Sequence, residues 1–430
     1  MKLVKSIVLK SIVLATTTFA TAGSAMAQTE VVWWDFFVGG DGQRMKALIS
    51  QFNDEHPDIQ INATSSEWGV PFYTRVRTAA AVGQGPDIMS YHLSRVPLAL
   101  SEGILTPITD SDLEQAGLAR DDFFQRSIEA ASNDEGDLYA VPFDIHSIVL
   151  YYNKSYLDGS DYLDEEGNLV GIENLDDLNA ALALAQDNGS KTPLSYQTSG
   201  PGGIWRIFHT LLSQQGGTLI ENGEVLPGDN LDKAARAIAI MQDWGDKNYQ
   251  PEHAEYEASV ALFTSGRSAF FINGVWEVPT LVDMEEAGTL GFEWGAVAVP
   301  TLLEEDAIWA DSHAFAVPIQ GDEEMAPEKR EAVMTVIGWM EKHALDWAAA
   351  GHIPAYLPVA ESEAFTQMEP NATYASLADN AVYDARSDIA GVASPVYDAA
   401  LNVIAPAIHG FLEPEQAAEH MRQELQALIN

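Results

Sequence analysis

Strand and helix patterns alternate along this chain, and this alternation limits the folds that it can adopt. Strand patterns are sequences of apolar and β-branched residues, and helix patterns repeat apolar residues every three or four positions. In the first part of the chain the strand patterns cover 30–34, 59–63 and 87–90, the helix patterns cover 45–53, 70–82 and 96–102, and glycines predict a turn at 39–42. This order is typical of an α/β domain with a parallel or mixed sheet.

The same two patterns continue to the end of the sequence. Further strands are predicted at 148–153, 270–273, 295–299 and 314–318, helices at 176–186, 204–214, 231–247, 259–265, 327–343 and 416–429, and a glycine-rich loop at 199–203. Asn174 precedes one of these helices and is a candidate N-cap. We find no internal repeat and no low-complexity tract, so a repeat architecture is not indicated.

The N-terminal segment predicts export from the cytoplasm. Lys2, Lys5 and Lys10 give it a positive start, residues 11–23 are apolar or small, and Ala25-Met26-Ala27 matches a signal-peptidase site. The apolar stretch is too short to span a bilayer. We therefore expect a signal peptide over 1–27 and a mature chain of roughly 400 residues, enough for two domains.

The chain contains no cysteine. Disulfides are thus excluded, and no cysteine at the cleavage site can accept a lipid anchor. We expect a freely soluble, monomeric protein that an outer membrane retains in the periplasm, and hence a Gram-negative source.

The charge balance is strongly acidic, with 64 Asp and Glu against 22 Lys and Arg and a net charge of −42. Such a surface repels nucleic acid and anionic lipid, so neither is an expected partner. The excess is consistent with a solvated surface in a salty habitat or with a site for cationic ligands. The acids are scattered rather than clustered, which favours the first.

Motifs of catalytic and cofactor sites are missing from the sequence. It has no glycine-rich phosphate loop, no G-x-S-x-G elbow and no H-E-x-x-H zinc helix. The loop 161–168 resembles a calcium loop, but Tyr162 stands where the first oxygen ligand belongs. We therefore expect no catalytic residues, no metal and no cofactor.

Tryptophan beside polar residues after strands is the most informative local pattern. It occurs five times, at Trp33-Trp34-Asp35, Glu67-Trp68, Trp205-Arg206, Trp276-Glu277 and Trp309-Ala310-Asp311-Ser312-His313. Tyr91 and His92 also follow a strand, and ligands of α/β sheets bind beyond the carboxyl ends of strands. A sugar ring has an apolar face, which indoles cover, and a rim of hydroxyls, which carboxylates, His and Arg bind.

Six short motifs, in order, resemble those of one protein family. They are Phe52-Asn53 with His56-Pro57-Asp58-Ile59, then Gly83 to Ile88, Gly103 to Ile108, Leu138 to Phe143 followed by Tyr151 to Lys154, Leu262 to Trp276, and Gly351 to Ala355. The third of these reads G-x-L-x-P-[IL], and the fifth is similar to F-x-x-G-[KR]-x-A-[MF]-x-x-x-G-x-W. Over essentially the whole mature chain, the sequence resembles the extracellular solute-binding proteins of ATP-driven sugar importers, the group with maltose- and trehalose-binding proteins.

This resemblance implies two α/β lobes, each a mixed sheet flanked by helices, with a carbohydrate in the cleft between them. It implies an N-terminal lobe of 28–143 plus about 312–345, and a C-terminal lobe of 144–311 plus about 346–430. The lobes would close on the ligand by hinge bending and then dock on a membrane permease. The resemblance implies these ligand-binding residues: Asp35, Tyr91, Asp144, His146, Trp205, Trp276, Glu277, Trp309, Asp311, His313 and Tyr356. We add Trp68 and His92 to the candidate ligand-binding residues because they directly follow predicted strands.

Two other classes of function remain open at this point. A glycoside hydrolase or lyase also lines its cleft with Trp and carboxylates, but it needs two carboxylates at a defined separation across the scissile bond. A binding protein for a polyamine, a compatible solute or a peptide would be consistent with the acidic composition.

Overall fold

A computed structural model describes residues 28–321 and 324–429. The predicted signal peptide lies outside the described residues. The strands are β1 (Thr29–Asp35), β2 (Ile59–Ser65), β3 (Ile88–His92), β4 (Ala140–Pro142), β5 (Asp144–Asn153), β6 (Leu194–Ser195), β7 (Ile220–Glu221), β8 (Glu224–Val225), β9 (Phe270–Gly274), β10 (Trp294–Ala298), β11 (Ile308–Asp311), β12 (His313–Ala316), β13 (Ile353–Pro354) and β14 (Ala381–Val382).

The helices surround these strands. They are α1 (Gly39–Glu55), α2 (Val70–Ala80), α3 (Val96–Ser101), α4 (Asp110–Ala116), α5 (Gln125–Ala130), α6 (Leu175–Asp187), α7 (Pro201–Ser213), α8 (Asn230–Asp246), α9 (Tyr256–Thr264), α10 (Val278–Glu286), α11 (Pro327–Lys342), α12 (Ala344–Ala348), α13 (Leu357–Ala360), α14 (Glu363–Thr366), α15 (Asn371–Tyr374), α16 (Pro395–Ala399), α17 (Ala405–Ile408) and α18 (Pro414–Ile429).

The first sheet has the strand order β2-β1-β3-β12-β4. β1 runs parallel to β2 and β3, as the alternation of strands and helices predicts, whereas β12 returns from far along the chain and pairs antiparallel with β3 and β4. Because β1 to β3 all point the same way, the residues after them meet at one edge.

The second sheet is built around the long strand β5. Its order is β14-β11-β5-β9-β6, and β10 and β13 also pair with β5. The chain passes from the first sheet to the second between β4 and β5, and it returns between β11 and β12. The protein is therefore a two-lobed α/β structure with mixed sheets, which confirms the predicted fold class.

The sequence located about half of the strands and helices, mostly the longer ones, and it also located the Asn174 cap, whose side chain accepts a hydrogen bond from the Asp177 amide. Two local predictions were wrong. Residues 39–42 form the first turn of α1 rather than a separate turn, since the Gly42 amide donates to Val38 O at 3.1 Å. The loop predicted at 199–203 ends early because Pro201, whose fixed φ suits a first helical position, already starts α7.

The core of each lobe consists of the apolar faces of its helices packed on its sheet. Trp33 and Phe52 are fully buried in the first lobe, and Tyr151 and Trp244 in the second. Across 28–321 and 324–429, none of the helices combines the length and the apolar character needed to cross a bilayer.

Candidate functional site

A buried carboxylate, that of Asp144, stands where the chain first crosses between the sheets. Its Oδ1 accepts hydrogen bonds from His146 Nδ1 at 3.0 Å and from the His313 amide at 2.9 Å. Its Oδ2 accepts from His313 Nδ1 and from Trp347 Nε1, both at 2.7 Å. Burial alone would raise the pKa of Asp144, but His313, His352 and these hydrogen bonds lower it well below the usual value.

Strand pairing explains why these residues meet. Asp144 and His146 lie two residues apart on β5, so both project from the same face. In the second sheet, His146 of β5 pairs with Asp311 of β11. His313 follows Asp311 by two residues, and in the first sheet it pairs with His92 of β3. The junction of the two sheets thus gathers residues from strands that are far apart in sequence.

His352 adds a third imidazole from the segment before β13. Its ring stacks on Trp347 at 4.7 Å with an interplanar angle of 3°, and its Nε2 lies 3.2 Å from Asp41 Oδ2. Its Nδ1 is 3.5 Å from Asp144 Oδ2 and makes no hydrogen bond within the described part of the chain. Burial lowers the pKa of His352, but Asp41 and Asp144 outweigh it, and the pKa is raised.

Aromatic rings surround a buried arginine beside these histidines. The Arg206 guanidinium carbon lies 4.6 Å from the ring centre of Trp276, 4.8 Å from that of Trp309 and 6.0 Å from that of Trp68. Arg206 is only 8% exposed, and its Nε makes no hydrogen bond to any described residue. The Arg206 guanidinium thus makes cation–π contacts with indole rings, and the energy of such contacts increases when water is excluded.

Trp276 connects the arginine to the histidines. Its ring is half-buried and meets that of His146 edge-on at 5.8 Å, and its Nε1 donates to Tyr256 Oη at 2.8 Å. Tyr256 in turn donates to Glu277, which fixes the orientation of the indole. Trp68, in the first lobe, is 37% exposed and lies edge-on to His92 at 6.3 Å.

Two further carboxylates line the second lobe's side of this cluster. Asp311 accepts from the Ser94 amide at 3.1 Å, the Ser94 hydroxyl at 2.5 Å and the Ser312 amide at 2.8 Å, and burial raises its pKa to about 6. Asp384 accepts from Trp205 Nε1 at 2.7 Å. Burial, followed by the nearby Asp311, raises the pKa of Asp384 to about 7.

The structure brings most of the sequence-predicted residues together. The group at the junction comprises Trp68, His92, Asp144, His146, Trp276, Trp309, Asp311 and His313. One ligand atom from each of His92, His146 and Asp311 lies within 4.8 Å of the others.

The other predicted residues have structural partners. Asp35 accepts from the Phe37 amide at 3.1 Å just after β1, and Tyr91 packs edge-on to Tyr73 at 5.3 Å. Trp205 is fully buried and Glu277 is 6% exposed. Tyr356 packs on Phe123 at 5.6 Å.

Sequence reasoning missed Arg206, His352, Trp347 and Asp384. Arg206 was visible only as the neighbour of Trp205, and the helical rotation of about 100° between successive residues turns Trp205 inward and Arg206 toward the other indoles. His352 was in a recognised motif, but nothing in the motif indicated that its ring would approach Asp144.

Comparison with known proteins identifies the family. The family model described as bacterial extracellular solute-binding protein matches residues 39–344, more than half of the chain. The chain belongs to this family. Its members are extracellular, which agrees with a place of action outside the cytoplasm.

Individual relatives are distant. The chain is 23% identical to the galactooligosaccharide-binding protein of Bacillus subtilis over 300 residues, which is 66% of this chain and 62% of that protein. It spans between about half and three fifths of the length of the curated relatives that it matches first.

Solved structures share the fold over nearly the whole chain. The GacH receptor of Streptomyces glaucescens, solved unliganded and with acarbose, aligns with a TM-score of 0.76 at 19% identity and covers 94% of this chain and 98% of its own. Maltose-bound MalE3 of T. maritima aligns with a TM-score of 0.77 at 19% identity and covers 93% and 100%.

Proposed function

We propose that this chain is the solute-binding subunit of an ATP-driven importer and that it binds a carbohydrate between its two lobes without altering it. The observation that carries this proposal is the group of Trp276, Arg206 and His146 at the junction of the two sheets. Two relatives support the sugar class, since one is a galactooligosaccharide-binding protein and the other a maltotriose-binding protein.

The chemistry of the group suits a saccharide. The half-buried ring of Trp276 would cover the apolar face of a sugar, and Trp68 would approach from the other lobe. Arg206 and His92 would bind hydroxyls from the rim of the sugar. A micromolar affinity requires about 8 kcal/mol, which stacked indoles and several charge-assisted hydrogen bonds can supply together.

We further propose that binding is coupled to lobe closure. The lobes would be 28–143 with about 312–345, and 144–311 with about 346–430. Three crossings of the chain would join them: before Asp144, before Ser312 and near residue 345. A ligand that touches both lobes stabilises the closed form through contacts that the open form lacks. The closed form would then dock on the permease subunits of the importer.

We also propose a location and an oligomeric state. A signal peptide over 1–27 would export the chain, and with no cysteine at the cleavage site to accept a lipid it would act as a soluble monomer in a Gram-negative periplasm. The scattered acidic residues would keep this protein soluble.

Isothermal titration calorimetry of the mature chain against mono-, di- and trisaccharides tests the function. We expect micromolar or tighter binding of at least one sugar, with no product after prolonged incubation. Release of shorter sugars would favour a hydrolase, and binding of spermidine or a peptide with no response to any sugar would overturn the carbohydrate assignment.

A further inference from the structure

We propose that Asp144, His146, His313 and His352 form a binding site for one divalent transition-metal ion of the zinc type. The four residues lie at the junction of the two sheets, and all of them are buried. This inference does not depend on the identity of the imported solute, since it concerns a group of side chains that hold one another.

The distances fit a small coordination sphere. One ligand atom from each of the four residues lies within 4.8 Å of all the others. From the Asp144 carboxylate, the Nδ1 atoms of His146, His313 and His352 are at 3.0, 2.7 and 3.5 Å. In a tetrahedral zinc site with metal–ligand bonds near 2.1 Å, neighbouring ligand atoms lie about 3.4 Å apart. Small shifts of the rings would thus complete the sphere.

One buried imidazole nitrogen faces the Asp144 carboxylate without a hydrogen bond to it. Nδ1 of His352 is buried, lies 3.5 Å from Asp144 and makes no hydrogen bond to the described residues. A buried polar atom without a partner is costly, and a metal ion would use its lone pair. Hydrogen bonds already hold Asp144, His146 and His313 together, so the place for a metal ion beside Nδ1 of His352 is defined before the ion binds.

The surroundings orient the ligands in the way that metal sites require. The second ring nitrogen of His352 lies 3.2 Å from Asp41 Oδ2, which gives the carboxylate–histidine–metal arrangement that fixes a ligating ring. Trp347 stacks on the same ring at 4.7 Å and donates its Nε1 proton to Asp144. Both the imidazole and the carboxylate are therefore held by neighbours outside the group.

The donor set selects the class of ion. Three imidazoles and one carboxylate suit Zn²⁺, Co²⁺ or Ni²⁺, whereas Ca²⁺ and Mg²⁺ prefer oxygen ligands only. Without metal, the Nδ1 protons of His146 and His313 are donated to Asp144. On binding, these two protons would move to Nε2 of the same rings, and a proton on Nδ1 of His352 would be released to solvent, which frees the three Nδ1 lone pairs for the ion.

Metal content of the untagged mature chain tests the proposal. After removal of metal with a chelator and dialysis against Zn²⁺ or Co²⁺, we expect one ion per chain by mass spectrometry, visible absorption typical of four-coordinate Co²⁺, and a melting temperature raised by a few degrees. His352→Ala should lower the metal affinity at least tenfold. The matched control is His420→Ala, because His420 is exposed on α18, outside the four-residue group, and its Nε2 lies 3.2 Å from Glu424 Oε1.

Two results would overturn the site. One is that the wild-type chain binds less than a tenth of an equivalent of either ion, which would leave only a hydrogen-bonded network around Asp144. The other is that His352→Ala, folded by circular dichroism, binds metal as tightly as the wild type. If His352→Ala does not fold, His146→Ala replaces it with the same expectation. Sugar binding can succeed or fail in these experiments without affecting the metal readout.

Discussion

The indole Nε1 of Trp347 donates a hydrogen bond to Asp144 Oδ2 at 2.7 Å across 203 residues of sequence. Both side chains are fully buried. The bond connects α12 to the start of β5. It uses one of the four acceptor positions of the Asp144 carboxylate, and the other three accept from His146 Nδ1, the His313 amide and His313 Nδ1.

Replacement Trp347→Phe should destabilise the protein by about 2 kcal/mol, because it removes a buried hydrogen bond to a charged group but keeps an aromatic ring. Urea unfolding of the two proteins measures the difference. Trp339→Phe is the control, since its Nε1 bonds to Glu55 nearer the surface at 2.9 Å and should cost about 1 kcal/mol or less. Equal losses for both variants would contradict the role given to the Asp144 bond.

Replacement Trp276→Ala should weaken sugar affinity at least tenfold, about 1.4 kcal/mol, with little loss of stability. The half-buried indole offers the apolar face on which we expect the sugar to stack. Titration calorimetry checks this against the control Trp294→Ala. Trp294 lies on β10 and pairs with Asn153, at the opposite end of β5 from Asp144. An unchanged dissociation constant for Trp276→Ala would rule out the stacking position.

Replacement Arg206→Met should also reduce sugar affinity at least tenfold, about 1.4 kcal/mol. Methionine keeps much of the apolar stem but removes the guanidinium that lies 4.6 Å from the Trp276 ring centre. Arg236→Met is the matched control, because Arg236 is an exposed residue of α8 paired with Glu304 at 2.8 Å. If Arg206→Met binds sugar as tightly as Arg236→Met and the wild type do, the Arg206 guanidinium does not contact the ligand.

Asp384 should make the wild-type protein lose stability as the pH rises. Its folded-state pKa of about 7 lies above the unfolded value of 3.8, so its stabilising contribution is complete below pH 3.8 and is lost as the pH rises through 7. Between pH 5 and pH 8, wild type should lose about 3 kcal/mol of unfolding free energy relative to Asp384→Asn. Chemical unfolding of both proteins at the two pH values measures this, and a constant difference would show that Asp384 is ionised in the fold throughout.

Gly351→Ala should destabilise the protein by about 3 kcal/mol or more. Gly351 has φ of +92°, and an added Cβ would lie 2.0 Å from the backbone oxygen of Val275. In Gly288→Ala, the control, φ is +66° but no heavy atom lies within 4 Å of the added Cβ, so only the backbone penalty of about 1 kcal/mol applies. Thermal unfolding compares the two, and similar melting temperatures would show that the segment before His352 can shift freely.

The sequence by itself determined most of the longer helices and strands of this protein. Hydrophobic spacing located β1, α1, β2 and α11, because burial of one face imposes a period of two on a strand and of 3.6 on a helix. Ordered motifs such as Gly83 to Ile88 predicted the family, which the family comparison confirmed.

Only the tertiary structure decided how the site is assembled. Asp144, Trp347 and His352 are far apart in sequence, and their contact depends on the crossing between β4 and β5 and on the placement of β13 along β5. Likewise, Trp205 and Arg206 are neighbours, but the phase of α7 buries the first against Asp384 and places the second among indoles. Local periodicity records which face of an element is apolar, whereas the partners of a polar side chain depend on how whole elements pack.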